Sequence, residues 1–274
     1  MLLTRIYFQA FIIGICIGSF LNVIVYRFQN NFSIIKPRSF CPKCKTKLSW
    51  RENIPLFSYL IQKGKCIHCN SYISIRYPLI EFLTGILFVI SVNSSQSFYI
   101  SNSNLFLNLF FSWLFFSLLI CISLIDIDSF WIPQGLINFG FISGISGLIF
   151  IGLFDHKYID FYLLLKGLST SMAAFFVFET LRYSAKIFFK KDAIGKGDSK
   201  LVAMLALWLG PMGTLFAIGI SYIFAAIFCL IGFSINFLRL GQVIPFAPFL
   251  SLGGCVMWLL GNEFIFEKIL RIYS

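Results

Sequence analysis

The chain has 274 residues, of which 58% are hydrophobic and only 12% charged. Soluble domains carry about 25% charged residues, so this composition excludes an ordinary water-soluble globule and assigns most of the chain a lipid solvent. The formal net charge of +11 would raise nucleic acid as a partner of a soluble protein. In a membrane chain it reads instead as basic loops held in the cytoplasm, with no nucleic-acid partner.

The apolar residues fall in blocks near the ~20 residues that cross a bilayer. They predict an all-α polytopic membrane protein with about eight transmembrane helices. The spans lie near 6–26, 78–95, 104–125, 132–154, 160–181, 199–212, 214–238 and 246–262. The first block has only Arg5 ahead of it and ends at Arg27 without a small-residue cleavage site. It therefore reads as a first span (1–27) and not as a cleaved leader. The loop that follows, 28–77, is strongly basic, with Arg27, Lys36, Arg38, Lys43, Lys45, Lys47, Arg51, Lys63, Lys65 and Arg76 in or beside it against one acid, Glu52. Such a loop stays in the cytoplasm. The uncharged segment 96–103 and the nearly balanced 155–160 suit the far side. The loop around 182–198, with Arg182, Lys186, Lys190, Lys191 and Lys196, and the turn at Arg239 return to the cytoplasm. Eight spans would leave both termini outside it. Only Gly210-Pro211 separates the sixth span from the seventh. Lys166, alone in the fifth span, is expected to snorkel or to neutralise an acid. No internal repeat stands out.

Four of the eight cysteines form a set in the first loop: CPKC at 41–44 and CIHC at 66–69. Two C-x2-C turns about twenty residues apart present four thiolates to one Zn²⁺, a structural site with no open position. The ion would supply folding energy to a loop too short and polar to build a core. The alternative, two disulfides, needs an oxidising compartment. His68 reads as a bystander, since four thiolates already fill the shell. Cys16, Cys121, Cys229 and Cys255 sit singly in apolar blocks as small hydrophobes.

Acids are rare in this chain. Asp126 and Asp128 end the third span in SLIDIDSFWIP, and Asp198 opens the sixth in AIGKGDSKL. Both sites fall at the cytoplasmic boundary, where intramembrane carboxylates are expensive and usually functional. Two carboxyls sharing one proton suit peptide hydrolysis: the ionised one takes a proton from water while the protonated one polarises the scissile carbonyl. Gly195 and Gly197 allow close backbone approach to a substrate strand and permit positive φ. The competing account makes these acids helix caps. Asp198 would be a first-turn acid of span six, and Asp128 would lie near the start of span four, ahead of Pro133.

Taken together, GSFLNVIVYR (18–27), the two cysteine segments, RYPLIE (76–81), LIDIDSFWIP (124–133), GKGDSKL (195–201) and IPFAPFL (244–250) resemble the type IV prepilin leader peptidase/N-methyltransferase family. Through G-x-G-D that family is related to other intramembrane aspartyl proteases. The resemblance covers nearly the whole chain. It implies a peptidase domain over 104–262, and an N-terminal, methyltransferase-associated region around the zinc loop that extends to about 95. It selects Asp126, which stands six residues ahead of Ile132-Pro133, and Asp198 as the catalytic pair, with Asp128 in support. Cys41, Cys44, Cys66 and Cys69 would hold zinc.

The implied protein is a multi-pass enzyme of the bacterial cytoplasmic (inner) membrane, with active site and zinc loop facing the cytoplasm. It would remove the short basic leader of prepilins or pseudopilins, of a type IV pilus or type II secretion system, after a Gly. It would then N-methylate the new terminus from S-adenosylmethionine. Tyr77 and Glu81 are methyl-transfer candidates; an interfacial or salt-bridged anchor explains them equally. Gln134, Ala247 and Ile194 replace an acid, a Gly and a Met common in the family. The basic loop is expected to face anionic lipid headgroups, leaving Glu52, Asp126, Asp128 and Asp198 nearer a basic leader. The other readings are a peptidase without methyl transfer and, from a different class, a non-catalytic zinc-binding scaffold or transporter subunit.

Overall fold

A computed structural model describes residues 2–30, 32–33, 36, 38–93, 105–153, 160–190, 195–239 and 241–273. The segment 96–103, nearly all of 155–160, and residues Lys191 and Ile194 of the second basic loop lie outside the described residues. The chain divides into two compact units, Met1–Asn93 and Ser94–Ser274.

In the first unit, α1 (Leu2–Gln29) packs along α3 (Arg76–Asn93), and between them in sequence come a loop and the short α2 (Phe57–Ile61). Between two apolar helices in lipid the association is driven by close packing, which small residues permit. Gly14 and Gly18 supply it. A Cβ at Gly14 would stand 2.7 Å from the Gly85 Cα, and one at Gly18 would stand 2.7 Å from the Glu81 Cα. The G-x-x-x-G at 14–18 is therefore the seam of this unit, and it brings α1 against the one acid of α3. Asn22, one turn further along α1, donates from Nδ2 to the Tyr77 carbonyl at 3.1 Å.

The second unit is built from α4 (Leu105–Ser129), α5 (Gln134–Ile151), α6 (Phe161–Phe189), α7 (Lys196–Ser234) and α8 (Ala247–Tyr273). Its centre is the first part of α7, where every residue from Leu201 to Leu209 is buried. Gly140 and Gly144 of α5 let the α7 side chains of Met204, Leu207 and Trp208 come close. Trp208 and Trp258 stack around Phe115, each with ring centroids 4.9 Å from it. Aromatic pairs of this kind add about 0.5–1.5 kcal/mol each beyond the area they bury. The indole N–H groups are not left bare. Trp208 donates to the Gly140 carbonyl at 2.9 Å, and Trp258 to the Ser112 hydroxyl at 2.8 Å. Asp160 caps α6, accepting the Leu163 N–H at 3.1 Å. Lys166 is exposed in the second turn of α6, as a snorkelling side chain requires.

The eight apolar segments expected from the sequence fall on seven long helices among the described residues. Six are long and apolar enough to span a membrane, and Ala247–Gly261 is a shorter apolar helix. The sixth and seventh expected spans run together as α7, interrupted at Gly210, whose φ of 69° and ψ of −178° are not helical. Glycine takes that conformation freely, and Pro211 cannot donate to the turn before it. The Thr214 hydroxyl donates to the Gly210 carbonyl at 2.6 Å. The segment before the break is about fifteen residues, ~22 Å long, short of the ~30 Å hydrocarbon core. It can be short because protein, not lipid, surrounds it.

Candidate active site and metal centre

α4 ends one turn after Asp126. Phe130 turns the chain out of the helix with a left-handed φ of 52°, its N–H donating to the Asp126 carbonyl at 2.9 Å. Asp126 is thus held in the last turn of α4, only 6% exposed. Its Oδ2 accepts the Ala247 N–H at 3.1 Å, a contact between residues 121 apart in sequence. Asp198 lies in the first turn of α7 and is 8% exposed. Its Oδ2 accepts the Gly195 N–H at 3.2 Å, and its own N–H donates to the Gly195 carbonyl at 3.2 Å. The first-turn capping role weighed for Asp198 is therefore present. It leaves the rest of the carboxylate available to a neighbour, and that neighbour is Asp126, close enough for its charge to act on Asp198. Two helix ends and the start of α8 thus converge on one pair of buried carboxyls.

Asp128 is exposed. Two helical residues beyond Asp126, it stands ~200° around the α4 axis, so the pair is not extended to it. Gly195 has φ −69° and ψ 144°, and Gly197 lies inside α7, so neither uses the positive φ expected of it. The close approach is real at Gly197, but it is to protein: a Cβ there would stand 3.0 Å from the Ile132 side chain. This packing seats the start of α7 on the Ile132-Pro133 turn. Gln134, standing where the family often has an acid, still accepts a hydrogen bond from Lys200. Tyr222 was not legible as a site residue. It lies close enough to Asp198 to feel its charge, and its ring is 5.2 Å from that of Phe246, the residue before Ala247.

In the first unit the four cysteine sulfurs lie within 4.8 Å of one another. A tetrahedral zinc site with Zn–S of ~2.3 Å needs sulfurs about 3.8 Å apart, and the Cys41 and Cys69 sulfurs are 3.9 Å apart. All four are free thiols, and their spacing fits a four-thiolate metal. Each C-x2-C is carried by the same turn, used twice. Lys45 and Asn70, both left-handed, donate to the carbonyls of Cys41 and Cys66 at 2.9 and 2.8 Å. The Cys41 and Cys66 N–H groups donate to Thr46 and Ser71 at 3.0 and 2.9 Å. Single antiparallel bridges, Phe40 to Lys47 and Lys65 to Tyr72, close each turn. This is an internal repeat after all, one of backbone geometry; in sequence only the cysteines and one serine, Ser49 and Ser74, are shared, which is why no repeat stood out. Burial alone would raise the Cys41 thiol, but N–H groups of Cys44 and Lys43 outweigh it and bring it down to about 6. Cys66, its counterpart in the second turn, goes the other way: N–H groups of Cys69 and His68 lower it, but burial and the neighbouring Cys41 and Cys69 sulfurs push it up to about 11, so it is at Cys41 that a thiolate is favoured before any ion arrives. His68 is not among the clustered ligands. Its Nε2 is 2.9 Å from Glu52 Oε1, and with the Ser49 hydroxyl and N–H first among its partners, Glu52 is held below the usual carboxylate range.

Glu81 is buried, with 7% exposure, and its Oε2 accepts the Leu56 N–H at 2.7 Å. Tyr77 opens α3 a turn earlier, and both line one cavity within this unit.

A helical membrane protein with paired buried carboxyls in one unit and a four-thiolate loop in the other defines the class. The bacterial peptidase A24 N-terminal domain family matches residues 12–94, and the type IV leader peptidase family matches residues 113–230. The chain belongs to the type IV leader peptidase family. It is 32% identical over 88% of its length to a type 4 prepilin-like proteins leader peptide-processing enzyme of Escherichia coli O78:H11 (strain H10407 / ETEC), of which it covers 89%. It is 31% identical to a prepilin leader peptidase/N-methyltransferase of Legionella pneumophila, covering 94% of each chain. A protein of the same description from Myxococcus xanthus (strain DK1622) is 35% identical over 73% of this chain, which spans 55% of that relative's length. No solved structure matches.

Proposed function

We propose that the chain is a bacterial inner-membrane aspartyl endopeptidase that removes the basic leader of type IV prepilins or pseudopilins after a Gly and N-methylates the new terminus. The observation that carries the peptidase is the pair of buried carboxyls, Asp126 and Asp198, each anchored by a backbone N–H, with Asp126 close enough for its charge to act on Asp198. Like charges buried side by side cannot both ionise cheaply, so one proton shared between them is the resting state. The ionised partner takes a proton from water as it attacks the scissile carbonyl, and the protonated partner donates to the carbonyl oxygen. The proton then passes to the leaving amine. The Ala247 N–H and the Gly195 N–H fix one oxygen of each carboxyl, which would leave the other oxygens for the reaction. Lys196 and Lys200 flank Asp198 in the first turns of α7. That basic border supports a cytoplasmic active site, where a prepilin leader would lie.

Methyl transfer rests on the names of the relatives. S-adenosylmethionine would supply the methyl group. Zn²⁺ held by Cys41, Cys44, Cys66 and Cys69 would be structural, closing the two turns upon one another.

Co-expression with a candidate prepilin tests this reading, with the mature N-terminus read by mass. The wild type should remove the leader and add one methyl group. Asp126→Asn and Asp198→Asn should leave the leader in place; intact processing by both variants would make the chain a scaffold and end the peptidase reading. Processing without the added methyl group would leave a peptidase alone.

A further inference from the structure

Asp198 and Tyr222 both belong to α7, twenty-four positions apart in sequence. In a straight helix that separation is ~36 Å, too far for the two to meet at one scissile bond. Gly210 stands midway between them, and its non-helical φ and ψ fold the chain back on itself. The two arms then pack on one turn of α8. A Cβ at Gly253 would stand 2.2 Å from the Ala217 carbonyl oxygen of the second arm, and one at Gly254 would stand 2.9 Å from the Leu205 side chain of the first. The fold-back brings Tyr222 level with Asp198, near enough to feel its charge. The break at Gly210 thus does more than end a short span: it carries a phenol of the second arm to the carboxyl pair.

That phenol is held from two sides. Its helix is fixed by Ser221, which is fully buried and donates to the Ala217 carbonyl at 2.6 Å. Its ring lies 5.2 Å from that of Phe246, and Phe246 precedes Ala247, whose N–H anchors Asp126. Yet Tyr222 is 47% exposed, and its hydroxyl has no hydrogen-bond partner among the described residues. A Tyr O–H in apolar surroundings usually finds one. The reaction supplies an acceptor. A segment that enters a membrane keeps its carbonyls bonded within its own helix. Cutting it requires a short stretch to unwind, and in a site poor in water each carbonyl so freed needs a new donor. The protonated aspartate answers the scissile carbonyl and leaves its neighbours unanswered.

We infer that Tyr222 is a third group of the catalytic site, whose hydroxyl donates to a backbone carbonyl next to the cleaved bond and holds the unwound strand in place. The assignment rests on the peptidase reading. The hydrogen bond forms only after unwinding, so it stabilises the transition state more than the bound substrate.

The test is steady-state kinetics of the full chain in lipid nanodiscs, on a synthetic peptide with a basic leader, a Gly and the apolar segment that follows. Tyr222→Phe keeps the ring against Phe246, so its melting temperature should match the wild type. Its kcat should fall about tenfold, the worth of one hydrogen bond, with KM within about twofold of the wild type and the pH profile unmoved. Single ester replacements of the amides flanking the cleaved one weaken one carbonyl acceptor at a time. One of them should slow the wild type and add nothing to the loss in Tyr222→Phe. A Tyr222→Phe enzyme as fast as the wild type would make the residue an interfacial anchor and overturn the inference. So would the absence of any such ester position, or a shifted pH profile, since the hydroxyl would then act on Asp198 and not on the substrate. In each of these cases Asp126→Asn and Asp198→Asn remain inactive and the peptidase reading stands. Cleavage by those two variants would overturn the reading and the inference together.

Discussion

The cysteine loop and the carboxylate pair are both small polar sites in an apolar protein, yet they are assembled in opposite ways. The four thiols come from two local turns of the same shape, each closed by hydrogen bonds among neighbours, such as Lys45 to Cys41 and Asn70 to Cys66. The carboxyls come from the end of α4 and the start of α7, and one of them is fixed by a backbone N–H of α8. A site of the first kind would depend on its ion and on little else. A site of the second kind depends on the packing of the whole helical unit. The first should fail all at once when one ligand goes, and the second should fail in proportion to how directly a change touches the carboxyls.

The largest effect is expected at the loop. Structural zinc contributes on the order of 10–16 kcal/mol to small domains that it folds. Cys44→Ser or a strong chelator should therefore unfold residues 38–74, read as rapid proteolysis of that segment and loss of one zinc per chain. Protection unchanged after full metal removal would show that the loop folds without the ion. Next come Asp126→Asn and Asp198→Asn, each expected to slow leader removal by about 10²–10⁴-fold, with the double variant little worse than either alone because the two act as a unit. Additive losses would break the claim of a shared proton. Ala247→Pro removes the N–H that anchors Asp126 and should lower the rate by about 10–100-fold. Ala247→Gly keeps that N–H, so its rate should stay within about twofold of the wild type. Gly197→Ala sets a Cβ 3.0 Å from Ile132. That crowding should cost about 1–3 kcal/mol of stability, seen as a lower melting temperature, together with a loss of rate of a few-fold. An unchanged melting temperature would mean that Ile132 moves aside freely.

The same contrast explains what could be read in advance. The cysteine spacing gave the four-thiol cluster directly, because ligand geometry within a turn is set by residues three apart. The identity of the carboxyl pair came from resemblance, and its surroundings did not come at all. Nothing in IPFAPFL says that the N–H of Ala247 bonds to Asp126, since the contact is made by backbone and leaves no mark on residue type. Tyr222 was hidden for a related reason: it lies in a long apolar run where an aromatic residue is unremarkable. Gly197 was noticed as a point of close approach, and Ile132 is a neighbour the sequence did not name, because a glycine signals close approach without saying to what. The G-x-x-x-G at 14–18 was legible and passed over, and with it the reason Glu81 sits where two helices meet.

The order of amino acids by itself settled that the chain lives in lipid, where most of its long helices lie and which thiols can share an ion, because hydropathy, chain breakers and ligand spacing are local properties. Only the folded chain decided that the first part of α7 is wrapped in protein and can stop short at Gly210, and that three distant helix ends meet around two carboxyls. Those outcomes depend on which surfaces fit against which, and close packing is a property of pairs of segments that neither segment carries alone.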